Sequence, residues 1–178
     1  MSDSVDYDKR DFLKKVSALV GVAAVSPAIA MLLPSRNDEE VKTVDISEVY
    51  PGEAIAVVWG GKPVSILHRT DDQIYDVLND VHHAKMVDET LHDSINPKTR
   101  SIKDEFFVST FVCTHLGCVP LYKEKPWYDD YGDCFFCPCH GGFFDLAGRV
   151  FKGPPPEHLA IPPHFFVDES TILIGRWG

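Results

Sequence analysis

Cys113-Thr114-His115-Leu116-Gly117-Cys118 and Cys134-Phe135-Phe136-Cys137-Pro138-Cys139-His140-Gly141-Gly142 hold all five cysteines of a 178-residue chain. Two short segments that each mix thiol and imidazole read as a metal site before the rest of the chain is considered. Two Cys and two His suit tetrahedral zinc. Zinc fingers, however, pair Cys with Cys and His with His, whereas each segment here offers one of each, as C-x-H and C-x-x-H. That mixture suits a two-metal cluster in which each loop gives a thiolate to one metal and an imidazole to the other.

Outward from these segments the pattern is β-type. Phe106–Val112, Phe143–Phe144, Val150–Phe151, Phe165–Val167 and Thr171–Ile174 are short apolar runs broken by Gly, Pro and Asp, and Asp145-Leu146-Ala147-Gly148 suits a hairpin loop. Upstream, Ile55–Val58 ends at Trp59, and Gly60-Gly61 turns the chain into Pro63–Leu67. Thr70-Asp71-Asp72-Gln73 has the form of a capping box, and Ile74, Val77, Leu78, Val81 and Ala84 follow at helical spacing. His82 and His83 on that helix read as surface residues. His158 and His164, among prolines, read as structural or exposed. The expectation is a mainly antiparallel β domain with one inserted helix.

The amino-terminal part is of another kind. Val16 to Leu33 is uncharged and spans about 27 Å as helix, enough to cross a hydrocarbon core. Lys9, Arg10, Lys14 and Lys15 precede it, so the positive-inside rule keeps residues 1–15 cytoplasmic and places the domain outside. Lys9-Arg10-Asp11-Phe12-Leu13-Lys14 resembles a twin-arginine export signal with Lys for the first Arg. Ala28-Ile29-Ala30 fits a cleavage pattern, but the apolar run continues through Leu33, which favours a retained anchor over 16–34. Residues 35–41 form a short polar tether, and 42–178 the domain. Residues 1–34 are neutral, so the whole net charge of −10 falls on the remainder and disfavours nucleic acid as a partner.

The C-T-H-L-G-C and C-P-C-H-G boxes resemble those of Rieske iron–sulfur proteins, specifically the Rieske subunit of respiratory cytochrome bc complexes. The resemblance covers most of the chain, with anchor, tether, β domain and Gly153-Pro154-Pro155-Pro156 in the family's order. It implies a Rieske-type antiparallel β-sandwich with a small cluster-binding subdomain, its loops at about 112–145. It further implies one 2Fe–2S cluster, with Cys113 and Cys137 on one iron and His115 and His140 on the other. By the same resemblance Cys118 and Cys139 form a disulfide, which fits an exported domain, and Gly153, Pro154, Pro155 and Pro156 cover the cluster. The implied activity is oxidation of quinol and delivery of the electron to a c-type cytochrome, beside cytochrome b, in a dimeric complex of the bacterial cytoplasmic membrane with the domain on the periplasmic side. An electron-transfer subunit of another periplasmic oxidoreductase, such as arsenite oxidase, and a non-redox zinc or disulfide domain are the alternatives. Cys134 is left over, either as a buried bystander thiol or as a rival partner for Cys118.

The donor set bears on the chemistry. Four thiolates leave an oxidised 2Fe–2S core negative, whereas two thiolates and two neutral imidazoles leave it neutral, so the potential rises. Either His115 or His140 then serves as quinol contact and proton acceptor. Leu116 is expected to shield the cluster and shape that contact. High-potential members of the family carry Ser and Tyr hydroxyls where this chain has Gly142 and Phe144, which implies a low-potential member suited to a menaquinol-like donor.

Overall fold

The Gly60-Gly61 hairpin forms as its sequence predicts in a computed structural model that describes residues 41–79, 90–124 and 132–178. Both glycines have positive φ, 55° and 72°, as a two-residue type I′ turn requires. The turn joins β2 (Ala54–Trp59) to β3 (Lys62–His68), with Trp59 opposite Lys62. β4 (Phe106–Thr110) pairs with the other edge of β3 and completes a three-stranded antiparallel sheet. A second sheet orders β1 (Lys42–Asp45), β10 (Thr171–Ile174) and β9 (His164–Phe166). A third runs β5 (Leu121–Lys123), β6 (Cys134–Cys137), β7 (Gly142–Phe144) and β8 (Val150–Lys152). Every pairing is antiparallel, so the domain is mainly β, as expected.

The period-two alternation of side chains explains the layering. Val64 and Ile66 of β3 and Phe106 and Val108 of β4 pack with Val44, Ile172 and Ile174 of the β1-β10-β9 sheet. Leu67 and Phe107, on the opposite face of the same strands, pack with Phe135, Phe144 and Val150 of the four-stranded sheet. The β2-β3-β4 sheet is therefore buried on both faces in its central strand. It serves as the shared wall between a two-sheet sandwich and the subdomain that carries both cysteine-rich segments.

The inserted helix α1 (Asp71–Leu78) begins at the expected capping box: Gln73 N–H donates to Thr70 Oγ1 and Thr70 N–H to Gln73 Oε1. It buries Gln73 and Val77 and ends at Leu78, where Asn79 N–H still bonds Tyr75 O. The helix therefore stops short of the periodic run to Ala84; Val81, His82, His83 and Ala84 lie outside the described residues. The export-signal segment 1–15, the membrane span 16–34 and all but Val41 of the tether lie outside them too. Among the described residues, no helix is long and apolar enough to cross a membrane.

Candidate metal centre

Each cysteine-rich segment forms a loop at the same end of the four-stranded sheet. The first leaves β4 and returns at β5; the second is the tight connection between β6 and β7, where Cys137 pairs with Gly142. The loops close alike. Gly117 N–H donates to Cys113 O at 2.9 Å and Gly141 N–H to Cys137 O at 3.1 Å, a five-residue turn in each case. Both glycines sit at positive φ, 80° and 69°, which a side chain would strain. In the first loop Cys113 N–H also bonds Cys118 O.

These turns bring the predicted donors together. The Cys113 and Cys137 side chains contact one another, and the His115 and His140 rings lie 4.7 Å apart, perpendicular. Both thiols are buried, whereas His115 is half-buried and His140 exposed. The site thus has a thiol floor and an imidazole rim. Burial pushes the Cys113 thiol up, opposed by the backbone N–H groups of His115 and Leu116 that point to its sulfur. The same N–H groups favour a thiolate there, as metal ligation needs.

Cys118 and Cys139 form a disulfide between the loops, with Cα atoms 6.7 Å apart. Cys137 Sγ lies within 4.8 Å of both its sulfurs, but a bonded pair has no thiolate to offer a metal. Of the three free cysteines, Cys113 and Cys137 lie at these loops with His115 and His140, and two thiols with two imidazoles fit the chemistry of an asymmetrically ligated 2Fe–2S cluster. Cys134 is fully buried on β6, outside any disulfide, which removes it as a rival partner for Cys118. Leu116 is 70% exposed beside His115, so it offers an apolar surface rather than packing into the domain. Val119 and Leu121, further along the same segment, are exposed as well.

A third loop, Gly153 to Pro156, follows β8 and lies against the second loop, with Pro155 buried. A Cβ on Gly153 would collide with Gly141 O and come within 2.8 Å of Gly142 Cα, so backbone meets backbone. Thr114 Oγ1 of the first loop donates to Glu157 O just beyond it at 2.7 Å. His158 Nδ1 accepts from Val150 N–H, and His164 is buried on β9 of the second sheet; both are structural.

A charged frame with little signal in the sequence stands behind these loops. Arg69, 1% exposed, donates from Nε and Nη2 to Leu146 O, from Nη2 to Thr99 O, and from Nη1 to Asp104 O and Ser101 Oγ. Arg100 donates to Ala147 O and Leu159 O, and Asp145 accepts from Arg149 Nε at 2.6 Å. Together they fix the 145–149 connection that aims β7 at the site. Lone arginines after a strand carry no periodic signal; the short spacing of Asp145 and Arg149 was the one visible cue.

The pattern of the Rieske [2Fe–2S] domain matches residues 39–163. The ubiquinol–cytochrome c reductase iron–sulfur subunit of Allochromatium vinosum is 37% identical over 98% of this chain and 92% of its own length. That of Rhodospirillum rubrum is 38% identical over 96% and 93%. Among solved structures, a chain of a hyperthermophilic respiratory Complex III is similar at a TM-score of 0.50 and 27% identity, covering 93% of this chain and 99% of its own. These likenesses set the zinc reading aside and give the cofactor as one Rieske 2Fe–2S cluster. The chain belongs to the Rieske [2Fe–2S] family, as an iron–sulfur subunit of a quinol–cytochrome c oxidoreductase.

Proposed function

We propose that the protein takes electrons from a quinol at the imidazole rim and passes them to a c-type cytochrome, with Cys113, Cys137, His115 and His140 as the cluster ligands. The observation that carries this reading is the asymmetric burial of the donors: thiols inside, His140 exposed and His115 half-buried. When bound, the cluster supplies a one-electron acceptor made electropositive by its neutral imidazoles. The residues do the rest. Cys113 and Cys137 anchor the buried side, and the Cys118–Cys139 disulfide holds the two loops in register. With metal on one ring nitrogen, the rim imidazole would lose the N–H of the other to solvent more readily than a free imidazole does, and that bared nitrogen would then accept a hydrogen bond from the quinol hydroxyl and take its proton. Leu116, next to His115, with the exposed Val119 and Leu121 after it, would offer apolar surface to that contact.

Cytochrome b and a c-type cytochrome are the partners in this reading, within a dimeric complex. Residues 16–34 anchor the chain in the cytoplasmic membrane, the domain faces the periplasm, and 35–41 act as the hinge. The relatives are named for ubiquinol. The residues at 142 and 144 favour a lower-potential, menaquinol-like donor, because neither carries a hydroxyl to stabilise the more negative reduced state.

EPR of the reduced holoprotein, with a redox titration, tests the reading. Hyperfine coupling to two nitrogens is expected, lost together with the cluster in His140→Ala; sulfur-only coupling would overturn the ligand set. Phe144→Tyr tests the low potential. Phe144 is fully buried in the core cluster that includes Cys113 and Cys137, so a hydroxyl there must find a partner. A raised midpoint potential with unchanged thermal stability is expected; lost stability with an unchanged potential refutes hydroxyl control from this position.

A further inference from the structure

Gly142 is a glycine that backbone conformation does not explain. It lies within β7, opposite Cys137, and is absent from the positive-φ residues. The reason is steric. A Cβ built on Gly142 stands 2.6 Å from Pro155 Cγ and 3.0 Å from Pro155 Cδ, with Cys137 Cβ 3.6 Å away. The ring of Pro155 therefore occupies the volume that a side chain at 142 would need, directly beside Cys137. Pro155 cannot swing aside by rotating a side chain, because its ring is fused to the backbone. Nor can its loop easily retreat, because Gly153 is in backbone contact with Gly141 and Gly142, and Thr114 holds Glu157 from the other side.

We propose that Pro155 is a positioning residue that forms a steric pair with Gly142, and that this pair keeps hydroxyls and water away from Cys137 on that side of the cluster. The potential-setting part of the inference rests on the reading of Cys137 as a ligand. Position 142 alone then does not tune the centre. Serine there has its Cβ inside the proline ring, so its hydroxyl reaches the sulfur of Cys137 only if position 155 is also made small. The Pro loop is thus a selector of which donors the second loop presents, in addition to a cover.

The test uses the holoprotein and two double-mutant cycles. The first combines Gly142→Ser with Pro155→Ala and reads midpoint potential by protein-film voltammetry. The double variant is expected to show an upward shift larger than the sum of the single shifts; additive shifts would overturn the pair. If Gly142→Ser alone does not assemble, the double is compared with Pro155→Ala, and equal potentials would overturn it. The second cycle replaces the hydroxyl by a methyl, as Gly142→Ala, and reads the thermal midpoint. A loss in the native background that disappears with Pro155→Ala is expected; the same loss in both backgrounds refutes the steric pair. Nitrogen hyperfine coupling in the unmodified protein checks the ligand reading separately, and the thermal cycle stands whatever that spectrum shows.

Discussion

At the level of single residues, burial separates cysteines that composition treats alike. Cys134 and Cys137 sit three positions apart on one strand, and both are buried. Cys137 ends β6 and meets Cys113 at the loop floor, whereas Cys134 lies deep in the fold, where burial pushes its thiol up to about 11 and Asp133 adds to the shift. A thiol so shifted carries almost no thiolate near neutrality and is a poor nucleophile. Iodoacetamide at pH 8 should therefore leave Cys134 unmodified in the native holoprotein and alkylate it only after unfolding, as peptide mapping would reveal. Cys134→Ala should retain the Cys118–Cys139 bond in non-reducing mass analysis and lose about 1 kcal/mol of stability, the scale of one buried methylene-sized group. Rapid native labelling would instead mean an accessible, reactive thiol. The ligand candidates were legible because their spacing is chemical. The fate of Cys134 was not, because it depends on the fold around it.

At the level of elements, local chemistry was the readable part. The Gly60-Gly61 turn, the Thr70–Gln73 box and the Asp145–Gly148 connection each carry their signal within a few residues, and each forms. β1, β5 and β6 carry no clear strand signal in the sequence: β1 and β5 are short, and β6 is hidden inside a cysteine box. Least visible was Arg69, which links α1's approach, the 99–104 turn and the β7–β8 connection. Burial lowers its pKa to about 9, against the opposing pull of Asp145 and Asp104, so it stays charged at neutral pH. Arg69→Met fills much of the volume but strips the carbonyls of Leu146, Thr99 and Asp104 of a charged donor. A loss of about 3 kcal/mol or more is expected, on the scale of breaking a buried charged network. Urea unfolding would measure it as a lower midpoint at unchanged m-value. A change below about 1 kcal/mol would show that water can replace the guanidinium there.

Over the whole molecule, the outer sandwich contains a buried titrating group of its own. His164 on β9 is 1% exposed, and its Nδ1 donates to Pro162 O at 2.9 Å. That bond places the acceptor lone pair on Nε2, which is buried with no hydrogen-bond partner among the described residues, and the ring as a whole packs near those of Phe166 and Trp177. Protonation would bury a cationic N–H with nothing to receive it, and burial accordingly lowers the folded-state pKa below 6.5, despite the Pro162 carbonyl. The unfolded chain, with an ordinary imidazole, takes up a proton below about 6.5 that the native domain refuses, so acid favours unfolding. Stability should be level above that pH, fall as pH drops below it, and level off again beneath the native pKa, with a slope of at most about 1.4 kcal/mol per pH unit. Asp45 and Asp168 are fully exposed carboxyls held below 3.8 by backbone N–H groups of Ser47 and Ser170, so their losses come in a lower, separate window. Thermal melts of the cluster-loaded protein between pH 7.5 and 5 would follow the effect, and His164→Phe should flatten the curve there while leaving the EPR spectrum as it was. An unchanged slope in that variant would place the acid sensitivity elsewhere, and a changed spectrum would mean that the sandwich and the metal loops do not act independently.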